Sequence, residues 1–322
     1  MMSILFVNEY NRPGGTETTI AELREGLAEK GIETSSYILA DKDGHVIANE
    51  SDFWKTMYRF HPDIIHLHNV GVHPPILDWV AESRLPLVWT LHDYWAICTT
   101  RMLFWGTKPC SIPCDHHCGG YREGIKEFVD NYNVELLVEN PTSQWIFEQH
   151  GLHPRIITCG IDLDKWKFNS GSRKGIFFIQ ADPNAWWKGS VIAGRVARKL
   201  GKAMVSGKGT QAEICDALGK CEIVLIPSLY PETFCRVVAE AKACGTVPVA
   251  FDVAGPAYQI KDGQTGFLAK MDNELELYAK AQQALQVDEY FRQGLRKDIE
   301  EHWSLSKMVS EHIEIYRRQE EK

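Results

Sequence analysis

Short runs of apolar residues alternate with amphipathic stretches along this chain, and that alternation constrains the fold more than any other feature. Residues 3–7, 64–67, 87–91 and 134–138 are apolar runs of strand length. Ile20, Leu23 and Leu27 recur at helical spacing within 16–30, and a further helix is expected at 143–149. After residue 160 the same style returns. Strands are expected at 175–179, 223–227 and 247–251, with a short one at 266–268. Helices are expected at 191–200 and 237–244, and three more close the chain at 275–286, 289–300 and 306–319. Strands that alternate with helices pair in parallel, because the crossover helix returns the chain to the same end of the sheet. A chain of 322 residues exceeds one ordinary core. It reads as two α/β units joined near 158–167, where Gly160 precedes a turn-rich stretch. Two such units facing each other would form a cleft at the carboxyl ends of their strands, where open α/β sheets bind ligands.

Several classes of function fit poorly. No apolar run approaches the ~20 residues of a membrane span. The run from Ile4 to Val7 stops at Asn8 and Glu9, unlike a signal peptide, so a soluble, cytoplasmic protein is expected. Nine cysteines without such a peptide suggest free thiols in a reducing compartment. Residues 1–160 carry 12 Lys+Arg against 21 Asp+Glu. That acidic half argues against nucleic-acid partners and against strong binding to anionic membranes.

Segment 231–250 carries the chemistry. An apolar strand ends at Pro227, a loop contains Pro231, and a helix is expected from near Phe234 to Cys244, stopped by Gly245. The first turn of such a helix offers free N–H groups at a strand's carboxyl edge, which suits a diphosphate. Eight residues of helical rise would separate Glu232 from Glu240 by roughly 12 Å, enough to hold a sugar at one end and a ribose at the other.

Pro227-Ser228, Pro231-Glu232, Phe234, Glu240-Ala241, Gly245 and Pro248-Val249 together resemble the signature of the family 4 retaining glycosyltransferases. Gly255, Asp262-Gly263 and Gly266-Phe267-Leu268 extend the likeness downstream. In the first half, Arg12-Pro13-Gly14-Gly15-Thr16-Glu17 resembles the family's glycine loop, and the stretch from Pro62 to His68 its cleft-side strand. Gly160-Ile161-Asp162 resembles the interdomain turn, and Lys188-Gly189 the phosphate-binding lysine. The resemblance implies a GT-B fold with two Rossmann-like domains. Residues 1–160 plus 305–322 would form the acceptor-side domain, Trp303 and Tyr316 marking the returning helix, and residues 161–304 the donor domain. It implies catalytic roles for His92 and Glu232. It implies donor contacts from Gly14, Gly15, Lys188, Thr233, Phe234, Cys235 and Glu240, and acceptor-side places for Asp93, His68 and Glu17. Asp93 would orient His92 or its loop. His66 and His68, two apart on a strand, share a face as residues lining the cleft.

Other features leave alternatives open. Cys98, Cys110, Cys114 and Cys118 lie beside His116 and His117, as structural zinc ligands, as free buried thiols or as disulfides. Asp162-Leu163-Asp164 has the form of a metal motif but sits at the joint. Trp186 and Trp187 either stack on a ligand or anchor their loop. Two departures from the family pattern bear on the diphosphate site. No arginine follows the strand near 179 until Arg195, and Cys235 stands where a glycine is common. The stretch between Gly31 and His61 is short, implying fewer strands in the first unit than is usual for the family.

The activity this implies is metal-independent transfer of a sugar, with retention, from a nucleoside diphosphate sugar (UDP- or GDP-linked). The acceptor would be a hydroxyl of a saccharide, a lipid-linked glycan or a small molecule. No cofactor is required for catalysis. An epimerase of nucleotide-sugars and a non-catalytic binding protein are the alternatives.

Overall fold

The computed structural model describes every residue except 1, 11–13, 106–107, 111, 113–118, 180–183, 208 and 322. The chain divides into two compact units, Met1–Thr158 with Met308–Lys322 and Cys159–Lys307.

Unit 1 runs β1 (Ser3–Asn8), α1 (Gly15–Glu29), β2 (Glu33–Ile38), α2 (Glu50–Phe60), β3 (Ile64–Leu67), α3 (Ile76–Glu82) and β4 (Leu87–Thr90). A two-stranded ribbon follows, β5 (Phe104–Trp105) and β6 (Lys108–Pro109), then α4 (Gly119–Asn131), β7 (Glu135–Val138), α5 (Pro141–Glu148) and β8 (Arg155–Ile156). The main sheet has the order β2-β1-β3-β4-β7-β8, with every pair parallel. The short stretch after Gly31 supplies both a strand and a helix, and the main sheet has six strands. The central strands are buried on both faces, which is why β1, β3 and β4 read as apolar runs. α12 (Leu305–Glu320) supplies unit 1 with Met308, Val309, Ile315 and the fully buried Tyr316. Gly26 on α1 makes room for Val309, since a Cβ there would lie 2.5 Å from its Cγ2.

Unit 2 runs β9 (Ile176–Phe178), a 3-10 turn (Trp186–Lys188), α6 (Ser190–Lys199), β10 (Met204–Ser206), α7 (Gln211–Gly219), β11 (Ile223–Ile226), α8 (Arg236–Cys244) and β12 (Val247–Phe251). It closes with α9 (Ala254–Gln259), β13 (Phe267–Ala269), α10 (Glu274–Ala284) and α11 (Glu289–His302). Its sheet has the order β10-β9-β11-β12-β13, again all parallel. Ile161 forms a parallel bridge with Ser304, and Gly160 is packed so closely that a Cβ would lie 2.6 Å from the Ser304 carbonyl oxygen. The segments leading into and out of unit 2 therefore run side by side. Asp162 accepts the Asp164 N–H at 2.9 Å, so this Asp-x-Asp shapes a turn.

In each sheet the strand order reverses at one point, between β1 and β3 in unit 1 and between β9 and β11 in unit 2. Loops leaving the two strands that flank such a point diverge and leave a crevice at their carboxyl ends. The candidate residues follow these strands: Gly14 and Gly15 after β1, His68 after β3, Lys188 after β9 and Glu232 after β11. His92 comes one strand over, after β4.

Candidate active site

In unit 2, Lys188 and Glu232 meet. Lys188 Nζ lies 2.8 Å from Glu232 Oε2, with the lysine side chain 31% exposed and the carboxylate side chain 6% exposed. Lys188 also donates to the Tyr230 hydroxyl at 3.3 Å and stands over that ring at 5.2 Å. The Ser228 hydroxyl donates to the other oxygen of Glu232. Burial works against the charge on Lys188, but Glu232, through its charge and its hydrogen bond, together with Tyr230 and Cys235 holds the ammonium above its ordinary value, so Lys188 stays cationic. Ser228 and Tyr230 complete the geometry. Ser228 stood in the sequence as part of the signature, whereas nothing marked Tyr230, because its partner lies 42 positions away.

Backbone geometry fixes this arrangement. Gly189 has φ +75°, and a Cβ there would lie 2.1 Å from the Pro227 carbonyl oxygen. Only glycine lets the lysine turn pack onto the end of β11. Gly255 donates its N–H to the Glu232 carbonyl at 2.9 Å, and a Cβ on it would come within 2.5 Å of the Phe234 carbonyl oxygen.

Helix α8 starts at Arg236, not near Phe234. Cys235, its N-cap, has φ 68° and ψ 65°, and this left-handed residue breaks the helical run. Glu232 therefore lies in the loop, and a purely helical spacing between the two glutamates does not apply. The N-cap has no side-chain hydrogen bond to the helix, leaving the first-turn N–H groups without that cap. Cys235 is buried, and burial pushes its thiol well above the usual range. Phe234 is buried at 5.9 Å from the Trp303 ring, and Thr233 is buried beside it. Glu240 accepts from Arg236 Nε at 3.1 Å, and Arg236 also donates to Cys159 Sγ at 3.2 Å. Arg195 is tied to Glu274 at 2.7 Å. The Trp187 carbonyl accepts from the Leu229 N–H at 2.7 Å, while Trp186 is 41% exposed and packs edge-on against Trp187.

A buried chain holds the loop from behind. Lys242, wholly buried on α8, donates to the Gln259 carbonyl at 2.8 Å and pairs with Asp298 of α11. The Gln259 amide in turn donates to the Phe234 carbonyl.

Unit 1 gathers histidines. His66 and His68 are buried, with rings 4.2 Å apart. This corrects the expectation that they line a cleft as strand-end residues: both side chains are packed inside the unit. His66 bonds to the Tyr316 hydroxyl at 2.7 Å and to Thr90 Oγ1 at 2.8 Å. The ring of His68 lies near-parallel to Phe6 at 5.4 Å and to His92 at 5.1 Å. His68 Nδ1 and His92 Nε2 are 2.8 Å apart, and His92 Nδ1 faces Glu139 Oε1 at 3.3 Å. Burial and the neighbouring rings hold His66 and His68 well below the ordinary histidine range, and burial holds His312 at about 4.

Of the two roles open to Asp93, its hydrogen bond and ion pair serve the loop. Its Oδ1 accepts the Trp95 N–H at 2.7 Å and its Oδ2 faces Arg101 at 3.6 Å, so it holds the following loop. Arg101 pairs through both terminal nitrogens with the buried Glu9, at 2.8 and 2.5 Å. Gly14 caps α1 in extended backbone, and Glu17 folds back over it: a Cβ on Gly14 would lie 2.2 Å from the Glu17 carboxylate. Gly15 opens the helix, and Arg12 and Pro13 of the same loop lie outside the described residues. Cys98 is buried with its Sγ 3.1 Å from the Thr100 hydroxyl, and Cys110 is half-buried. Cys114 and Cys118, with His116 and His117, lie outside the described residues. Among the described residues, the one grouping with metal-ligand geometry is Asp41, Asp43 and His45 on the surface. Among them, too, no helix is long and apolar enough to cross a membrane.

Two parallel-sheet α/β units in one chain, each with its candidate residues at the switch point, define the GT-B architecture. Solved structures agree. Sucrose-phosphate synthase from Thermosynechococcus elongatus superimposes with a TM-score of 0.77 at 14% identity, covering 99% of both chains. HepE of Anabaena in complex with UDP-glucose gives 0.74 at 16% identity, covering 99% of this chain and 100% of that one. Residues 196–302 match the family described as glycosyl transferases group 1, which places this part of unit 2 in that family.

Curated relatives match over short segments. An N,N'-diacetylbacillosaminyl-diphospho-undecaprenol alpha-1,3-N-acetylgalactosaminyltransferase of Campylobacter jejuni is 35% identical over 99 residues, 31% of this chain and 26% of its own length. A D-inositol 3-phosphate glycosyltransferase of Stackebrandtia nassauensis is 38% identical over 76 residues, 24% of this chain and 17% of its own. The matches thus span about a quarter or less of these two relatives.

Proposed function

We propose that this protein transfers a sugar from a nucleoside diphosphate sugar to a hydroxyl acceptor, with retention of anomeric configuration and without a catalytic metal. The Lys188–Glu232 pair at the switch point of unit 2 carries the reading. A diphosphate arriving there meets a partly exposed cation and the start of α8, two sources of positive potential that need no metal. It would draw Lys188 away from Glu232, freeing the carboxylate to accept hydrogen bonds from sugar hydroxyls. Glu240, with Arg236 beside it, is assigned the ribose. His92 is assigned the developing positive charge of the sugar, and the departing diphosphate the acceptor's proton. The UDP and UDP-glucose complexes of HepE make a uridine nucleotide the first donor to test.

A thermal-shift series with UDP, GDP, ADP and their glucose conjugates tests this directly. A nucleotide at 100 times its dissociation constant stabilises by ~2.7 kcal/mol. Glu232→Gln should still bind nucleotide while donor turnover falls at least a hundredfold. No shift with any nucleotide, or unchanged turnover in Glu232→Ala, would overturn the reading.

A further inference from the structure

Glu139 follows β7 and is buried at the centre of unit 1, 4% exposed. Its carboxylate ends a line of rings: Glu139 Oε1 to His92 Nδ1 at 3.3 Å, then His92 Nε2 to His68 Nδ1 at 2.8 Å. The far nitrogen, His68 Nε2, is buried with no hydrogen-bond partner among the described residues. Counting protons along this line separates two neutral arrangements. In the first, His92 donates from Nδ1 to the carboxylate and accepts at Nε2 from His68 Nδ1–H, leaving a bare lone pair at His68 Nε2. In the second, His92 donates from Nε2, sets the lone pair of Nδ1 against a carboxylate oxygen, and forces a buried, unpartnered N–H onto His68 Nε2. An imidazolium at His92 that donates to both neighbours also leaves that N–H. A buried donor without an acceptor is among the rarest features of folded proteins, and two lone pairs face to face repel.

We propose that Glu139 is a positioning residue that fixes His92 as its Nδ1–H tautomer, with His68 as the second link of the chain. The other groups around the line are accounted for. His66 is satisfied by Thr90 and Tyr316, and His312 turns its Nδ1 to the Met308 carbonyl at 2.8 Å. Asp93, Arg101 and Glu9 form their own network. The catalytic meaning of the assignment rests on the function proposed above. With both ring nitrogens engaged inside the unit, His92 is not an outward proton donor or acceptor. A carboxylate behind the ring makes it more electron-rich, which suits a group beside a developing oxocarbenium ion.

Long-range 1H–15N spectra of protein labelled at histidine test the assignment, with the His92 signals identified by their loss in His92→Gln. The wild type should show His92 protonated at Nδ1. Glu139→Gln keeps an acceptor oxygen and should keep that tautomer, whereas Glu139→Met should move His92 to Nε2–H while the His66 signals stay in place as a folding control. Wild-type His92 protonated at Nε2, or an unmoved tautomer in Glu139→Met, overturns the proposal. Should Glu139→Met not fold, the wild-type spectrum decides alone. UDP titrated into the same samples separates the two readings. If the wild type binds no UDP, GDP or ADP, the proposed function fails and the tautomer result stands. If UDP binds equally to wild type and Glu139→Gln, turnover of UDP-glucose should still fall at least tenfold in the variant, because the charge behind His92 is gone. Undiminished turnover would overturn the catalytic part.

Discussion

Cys235 shows how one residue sets the geometry of a loop. Its left-handed backbone costs an L-residue roughly 1–2 kcal/mol, which explains why glycine is common at this position in the resembling family. Cys235→Gly removes that cost but loses a buried side chain and adds freedom to the unfolded chain. The three effects nearly cancel, so urea unfolding should place it within ~1 kcal/mol of wild type. Cys235→Val keeps the strain and adds a β-branch, and should lose ~2 kcal/mol or more. The Lys188–Glu232 pair allows a second test. Lys188→Met strands a carboxylate that is 6% exposed and should cost ~2–4 kcal/mol. Adding Glu232→Gln to it should recover most of that loss, because no charge then remains unpaired. A double-mutant cycle by urea denaturation reads the difference.

At the scale of elements, the strands legible in the sequence were the central ones and, at one edge, the short β13. β1, β3, β4, β11 and β12 are buried along their whole length and therefore largely apolar. The edge strands β2 and β10 are partly exposed, carry polar residues, and gave no such signal. Helix α8 was expected to begin early because Phe234 continues the apolar pattern, and periodicity cannot see a backbone reversal at the next residue. The parts of the site borne on loop signatures, Lys188-Gly189 and Pro231-Glu232, were legible. Their mutual pairing was not, since it depends on two loops meeting at a switch point. Nor was the support behind them. Asp298→Ala should leave Lys242 charged and buried without a counter-ion, at a cost of ~3–5 kcal/mol in denaturant unfolding. Through Gln259 it should also loosen the Phe234 loop, so hydrogen exchange at residues 232–236 should quicken.

At the scale of the whole molecule, the buried histidines make unit 1 sensitive to acid. His66, His68 and His312 have folded values below the ordinary 6.5, so the unfolded chain binds more protons than the native one in that window. Stability is fully present above about pH 6.5 and is lost as pH falls, by roughly 1.4 kcal/mol per histidine per pH unit. For His312 the loss continues down to about pH 4. Hydrogen exchange at pH 7.5 and 5 should show protection falling first in β1, β3 and α12. Equal loss in both units would count against this account.

Helix α12 carries a consequence of another kind. Unit 1 is built from the first 158 residues and from the stretch after residue 307, with all of unit 2 encoded between them. Tyr316, which closes over His66, is translated only after all of unit 2. On the ribosome, unit 2 can begin to fold while unit 1 still lacks a wall, so the histidine cluster is sealed only after unit 2 has been made. The last turns of one helix thus set the time at which the earlier-made part of unit 1 is completed.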